Sequence, residues 1–222
     1  MRRGHGWRRC DGLLSDLGGS GIDALLPVIE HLADPSRARP IQGAQAAPAW
    51  VPDEPGLYSW WADAEGLRQL EAAFASALPR LIYAGQAGAT SAKAASPSMA
   101  TLRSRIGGNH LNGNIRSSTF RFTLAAALRE PLALQLGPGG RLDASSNQEL
   151  SRWIRRHLSL ACVAWRERAT LSGLEHAVLE RIDPPLNLTG MTTTALRRRL
   201  RDLRRDLKSS TIEILEAEQT DL

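Results

Sequence analysis

Apolar positions recur along the chain with two periods, and the alternation of those periods gives the element order. Leu25, Leu26, Ile29 and Leu32 are spaced for a helix over 22–32 that ends before Asp34-Pro35. Residues 34–55 carry Pro35, Pro40, Pro48, Pro52 and Pro55 and read as a linker or an irregular approach to the core. A compact apolar run over 56–61 predicts a first strand, and Leu67, Leu70, Phe74 and Leu78 predict a helix that Pro79 stops. A second strand is expected over 81–85, then an Ala/Ser/Gly loop over 86–98. Leu102 and Ile106 begin a helix that Gly107-Gly108-Asn109 interrupts, and a further helix spans 118–129. Gly137-Pro138-Gly139-Gly140 makes a turn, and Ser146 with Glu149 fits a capping box before a helix carrying Leu150, Trp153, Ile154 and Leu158. A third strand falls at 159–165, a helix at 171–182 ends at Pro184-Pro185, and Leu196, Leu200, Leu203 and Leu207 mark a last amphipathic helix over 192–208. This order predicts an α/β (α+β) fold, a small sheet flanked by helices.

Length and composition narrow the class. The 222 residues, 42% hydrophobic and 23% charged, suit one substantial globular domain. No apolar run approaches the roughly 18 residues of a membrane span, and no signal-type stretch follows the Arg-rich start, so a cytoplasmic protein with no membrane partner is expected. Two cysteines, Cys10 and Cys162, make neither a disulfide framework nor a zinc site. Residues 80–129 hold six arginines and one lysine but no carboxylate, which suits a surface facing phosphates or a solvated basic face. The 197–209 stretch sets seven basic residues against Asp202 and Asp206.

The candidate chemistry lies in short motifs. The chain has two tyrosines, each in a glycine-bearing strand tripeptide: Gly56-Leu57-Tyr58 and Tyr83-Ala84-Gly85. Leu102-Arg103-Ser104-Arg105 and His110 follow, then Glu175, then Asn187 twelve residues later in Pro184-Pro185-Leu186-Asn187. Glu175 falls inside the apolar stripe of its helix, where a carboxylate needs a partner or a metal. Ser172-x-x-Glu175 also has capping-box spacing, so a mere cap is the alternative there. His110 after the Gly-Gly-Asn break would equally serve as a loop residue, and both tyrosines as ordinary strand aromatics.

Taken in order, these elements resemble the GIY-YIG nuclease superfamily over roughly 55–190. The resemblance implies a three-stranded antiparallel sheet flanked by helices and divalent-metal-dependent hydrolysis of DNA. It assigns Tyr58, Tyr83, Arg105, His110, Glu175 and Asn187 to the catalytic site, with Glu175 holding Mg²⁺ or Mn²⁺. Leu57 and Ala84 replace the family's isoleucines, and Gln86 stands where members often carry a lysine. Arg103, Arg116 and Arg121, with Arg198, Arg201 and Arg205 of the last helix, are the expected DNA contacts. Four segments result: a basic tail at 1–20, a helix and Pro-rich linker at 21–54, the catalytic domain at 55–190, and a basic helix with an acidic tail at 191–222. An inactive nucleic-acid-binding module on the same fold is the alternative reading.

Overall fold

The computed structural model describes residues 18–41, 46–90, 96 and 98–220, so residues 1–17 of the expected basic tail and 91–95 and 97 of the expected loop lie outside the described residues, while 18–20 of that tail begin the first helix. The elements run α1 (Gly18–Ala33), β1 (Arg39–Pro40), β2 (Gly56–Ala62), α2 (Ala64–Phe74), β3 (Leu81–Ala87), the single turn α3 (Leu102–Ser104), a π-helical turn (Arg105–Leu111) and α4 (Thr119–Leu128). After these come β4 (Leu136–Gly137), β5 (Arg141–Leu142), α5 (Ala144–His157), β6 (Leu158–Ala164), α6 (Leu171–Ile182) and α7 (Ala195–Thr220).

The main sheet is antiparallel with order β1-β6-β2-β3, and β4 and β5 form a separate two-stranded ribbon. The fourth main strand is the two-residue β1, paired with β6 through Arg39↔Leu160 and Pro40↔Ser159. A proline on an edge strand costs no internal ladder bond, which is how a strand fits into the proline-rich segment.

All seven residues of the central β2 are buried, because both faces are covered. Trp60, Ile82, Leu160 and Phe120 belong to the main core, under α2, α4, α5 and α7. Leu57 on the opposite face meets Val28, Ile29 and Leu32 of α1 and Leu171, Leu174 and Val178 of α6. Gly56 permits the sheet to close tightly: a Cβ there would lie 2.1 Å from the Val163 carbonyl oxygen.

Several helix boundaries differ from the sequence reading; the last helix continues to Thr220 through most of the expected acidic tail, and the first begins at Gly18. α2 ends at Phe74, where Ala75 takes a left-handed φ of 49°, so Leu78 packs into the core from beyond the helix. α5 is capped by Asp143, whose carboxylate accepts the Ser146 N–H, while the Ser146 hydroxyl accepts the Gln135 N–H. Gly107-Gly108-Asn109 does not interrupt its helix. The chain continues as a π turn, and Gly107 admits the Ala47 backbone, whose nitrogen would lie 2.9 Å from an added Cβ. That turn carries His110 inward, not out onto a loop.

Candidate active site

β2 and β3 set the two tyrosines on one face of the sheet. Tyr58 pairs with Gly85 and Trp60 with Tyr83, and residues two apart along a strand share a face. The missing side chain of Gly85 makes room for the phenol: a Cβ would lie 2.8 Å from Tyr58 Oη. Tyr58 Oη is 2.7 Å from His110 Nε2, and His110 Nδ1 is 2.9 Å from Ser118 Oγ. Ser118 also caps α4 by accepting the Arg121 N–H, so the relay ends on a fixed helix terminus.

His110 is 3% exposed, edge-on to Tyr58, Trp60 and Phe120. Burial, reinforced by Arg105 and Arg121, drives its pKa down to about 3. The ring is neutral near pH 7 and accepts at one nitrogen while donating at the other. Burial holds the Tyr58 pKa well above 10, with Tyr83 raising it further, Arg105 opposing, and Glu175 adding a smaller push.

The other half of the site is built on the free edge of β3, whose backbone groups are met in succession. The Leu186 N–H donates to the Ile82 carbonyl at 3.0 Å. Asn187 then acts as a surrogate strand: its Nδ2 donates to the Ala84 carbonyl at 2.8 Å and its Oδ1 accepts the Ala84 N–H at 3.0 Å. One step on, the Gln86 backbone N–H acts on the Glu175 carboxylate and lowers its pKa. Both ends of the Asn187 carboxamide are thus used on backbone, and the residue positions the segment behind the site. Buried Arg197 fixes that segment in turn, donating to the carbonyls of Asn187, Pro184 and Thr192 and to Asp183.

α6 brings Glu175 to this edge. Thr170 is the N-cap and makes no side-chain cap bond, so the Ser172–Glu175 capping box does not form. Desolvation raises the Glu175 pKa to about 7, against the Gln86 N–H and Arg105, which both lower it. Tyr83 is pushed up to about 12 by burial and then by Glu175, with Arg204 and Arg105 opposing. Tyr83, Glu175, Asn187, Thr119, His176 and Arg204 line one cleft of about 320 Å³. Arg105 acts electrostatically on Tyr58, Tyr83, His110 and Glu175 together, and its buried Nε has no hydrogen-bond partner. Of the six expected catalytic residues, Tyr83, Glu175 and Asn187 line this cleft, Tyr58 and His110 are hydrogen-bonded to each other outside its lining, and Arg105 acts on four of the others electrostatically without lining it.

The expected DNA contacts divide. Arg121 is corrected: it is 0% exposed, and its terminal nitrogens donate to the His110 carbonyl, Ser151 Oγ and the Asn147 carbonyl and side chain. It locks the end of the π turn to α5 and has no face to offer a ligand. Arg103 donates to the Ala49 and Val51 carbonyls, and Arg116 to the Gly139 carbonyl, although both are exposed. Arg198 is exposed, Arg201 donates to Thr193 Oγ1, and Arg205 pairs with Asp202 and Asp206. Arg204, absent from the sequence candidates, reaches the cleft from α7 and lies over the Phe122 ring at 5.2 Å. Its signal was available: Arg197, Leu200, Arg204 and Leu207 recur at helical spacing along the docked stripe.

The GIY-YIG catalytic domain family matches residues 56–206, more than half of the chain. The protein belongs to the GIY-YIG catalytic domain family. That membership points to nuclease activity, and with it to a nucleic-acid substrate. The match runs past residue 190 into α7, the helix that completes the cleft with Arg204. No curated protein and no solved structure matches the chain. Among the described residues, no helix is long and apolar enough to cross a membrane, and no group of three His, Cys, Asp or Glu side chains forms a ready-made metal cage.

Proposed function

We propose that the protein is a cytoplasmic, divalent-metal-dependent endonuclease that hydrolyses DNA phosphodiester bonds. The observation that carries this reading is the convergence on one cleft of the Tyr83 phenol, the desolvated Glu175 carboxyl and the Arg204 guanidinium, with Arg105 near enough to act electrostatically on both Tyr83 and Glu175. Hydrolysis of a phosphodiester requires relief of charge on the phosphate and an oriented water. Arg105 supplies the first by donating from its planar fork to non-bridging oxygens.

The donor set fits a hydrated divalent ion. Glu175 is a single carboxylate, and Mg²⁺ binds through one or two carboxylates while keeping several waters and taking a substrate phosphate oxygen. The desolvation that raises the Glu175 pKa also favours a cation beside its ionised form. A bound Mg²⁺ or Mn²⁺ supplies Lewis-acid polarisation of the phosphate and a more acidic water.

Tyr83 faces the cleft as a neutral phenol and orients the attacking water by hydrogen bonding; its raised pKa opposes a resting role as base. Tyr58 is held by His110 and Ser118, so its phenol has one fixed direction under the site. The test is cleavage of plasmid, branched and single-stranded DNA by purified protein with Mg²⁺ and with Mn²⁺. Cation-dependent nicking is expected on at least one form. No cleavage of any of the three overturns the reading, and binding without cleavage leaves the inactive nucleic-acid-binding module.

A further inference from the structure

The catalytic cleft does not end at Arg204. Leu188, Thr189 and Arg204 also line a second hollow of about 400 Å³, which adds Phe122, Arg201, Arg205 and Lys208. Phe122 and Lys208 are shared in turn with a third hollow of about 350 Å³ that reaches Arg116, Gly140 and Ile212. The three form one trough along α7, leading away from Glu175. The second and third hollows have no carboxylate in their lining; Asp202 and Asp206 stand aside, paired with Arg205.

We infer that this trough is a track for a single strand of DNA, which enters the catalytic cleft past Arg204. The inference rests on the nuclease reading above and names the form of substrate that its site receives. Two features select a strand with unpaired bases. First, Arg201, Arg204 or Arg205, and Lys208 stand three or four residues apart on one helix face, with Cβ atoms about 5–6 Å apart, so their long side chains form a ladder for consecutive phosphates. Second, the trough also carries apolar surface: Phe122 and Leu188 are half-buried, and Ile212 is 43% exposed. A duplex keeps its bases stacked inside and has nothing to place on a phenyl ring. A single strand can set a base against Phe122 while its phosphates follow α7. Arg204 joins the two regions, since its guanidinium packs on Phe122 and lines the same cleft as Tyr83 and Glu175.

The experiment is fluorescence anisotropy of labelled oligothymidine of about 16 nucleotides, set beside a blunt duplex of the same length. Metal-free Glu175→Gln protein is used so that nothing is cut. Arg201→Glu with Lys208→Glu is expected to weaken single-strand binding at least about tenfold at moderate salt and to flatten the salt dependence by about 1.4, two contacts at roughly 0.7 each. Phe122→Leu, which keeps the packing, is expected to weaken single-strand binding about fivefold and leave the salt slope alone. The milder pair Arg201→Ser with Lys208→Ser shows the same ranking if the reversed pair folds poorly. Unchanged single-strand binding in both charge variants overturns the track, as does an equal loss on the duplex, which would mark a general phosphate-binding face. Wild-type protein that binds in this pattern but cuts no DNA leaves the track standing and removes the nuclease reading instead.

Discussion

The segment 80–129 and the helix α7 are both rich in arginine, and they put that charge to opposite uses. In 80–129 three guanidiniums are bonded to backbone, Arg103 to Ala49 and Val51, Arg116 to Gly139 and Arg121 to His110 and Asn147; Arg121 is buried, and exposed Arg116 also borders the far hollow. Along α7, Arg197 alone is buried in this way, while Arg201, Arg204, Arg205 and Lys208 line an open trough. A buried arginine satisfies several carbonyls that turns and helix ends leave without partners, so a stretch free of carboxylates need not be a ligand surface. What marks the surface is cations repeated on one helix face beside an open hollow.

Three substitutions sharpen or break this contrast. The largest effect belongs to Arg121→Ala. It removes the donor from the His110 carbonyl and the bridge to α5 through Asn147 and Ser151, and is expected to cost about 3–4 kcal/mol in urea denaturation. The protein that remains folded should bind DNA with an unchanged salt slope; a shallower slope would return Arg121 to the DNA surface.

Glu175→Gln should act with the opposite sign. The native carboxyl keeps its proton to about pH 7, whereas the ordinary value is 4.5. Between those values the native state binds more protons than the unfolded chain, so stability falls as pH rises through the window. The metal-free variant is therefore expected to be more stable than wild type by about 2 kcal/mol at pH 8, after allowance for partial exposure, with the gain gone near pH 4. Thermal melts across that range decide it, and equal stability at pH 8 would mean that the carboxyl is not strained.

Arg103→Ala gives the smallest effect. Its exposed bonds to Ala49 and Val51 are each expected to be worth about 0.5–1 kcal/mol, with DNA affinity untouched. A several-fold loss of affinity would show that Arg103 leaves those carbonyls for phosphate.

The strands at the centre were readable because glycine and aromatic residues alternate with apolar ones in short runs. The two motif glycines have physical reasons: Gly56 lies against the Val163 carbonyl and Gly85 under the Tyr58 phenol. The ends of α6 were legible from its apolar stripe and from Pro184-Pro185. β1 was not, because two residues in a proline-rich segment have no period, and only β6 makes them a strand. The π turn was hidden for a related reason: Gly107-Gly108 reads as a break until Ala47 is seen packed against it. Motif order named the catalytic candidates. The edge role of Asn187 and the burial of Arg121 depend on partners far away in sequence, so Arg121 read as a DNA contact, whereas Arg204 shares the helical period of the docked stripe.

The measurement closest to the central claim compares initial rates of Mg²⁺-dependent DNA cleavage for wild type, Glu175→Gln and Arg103→Ala in one assay. The cleft account predicts a loss of at least about a thousandfold for Glu175→Gln, on the order of 4 kcal/mol of transition-state stabilisation, and a rate close to wild type for Arg103→Ala. Equal rates for wild type and Glu175→Gln would contradict it.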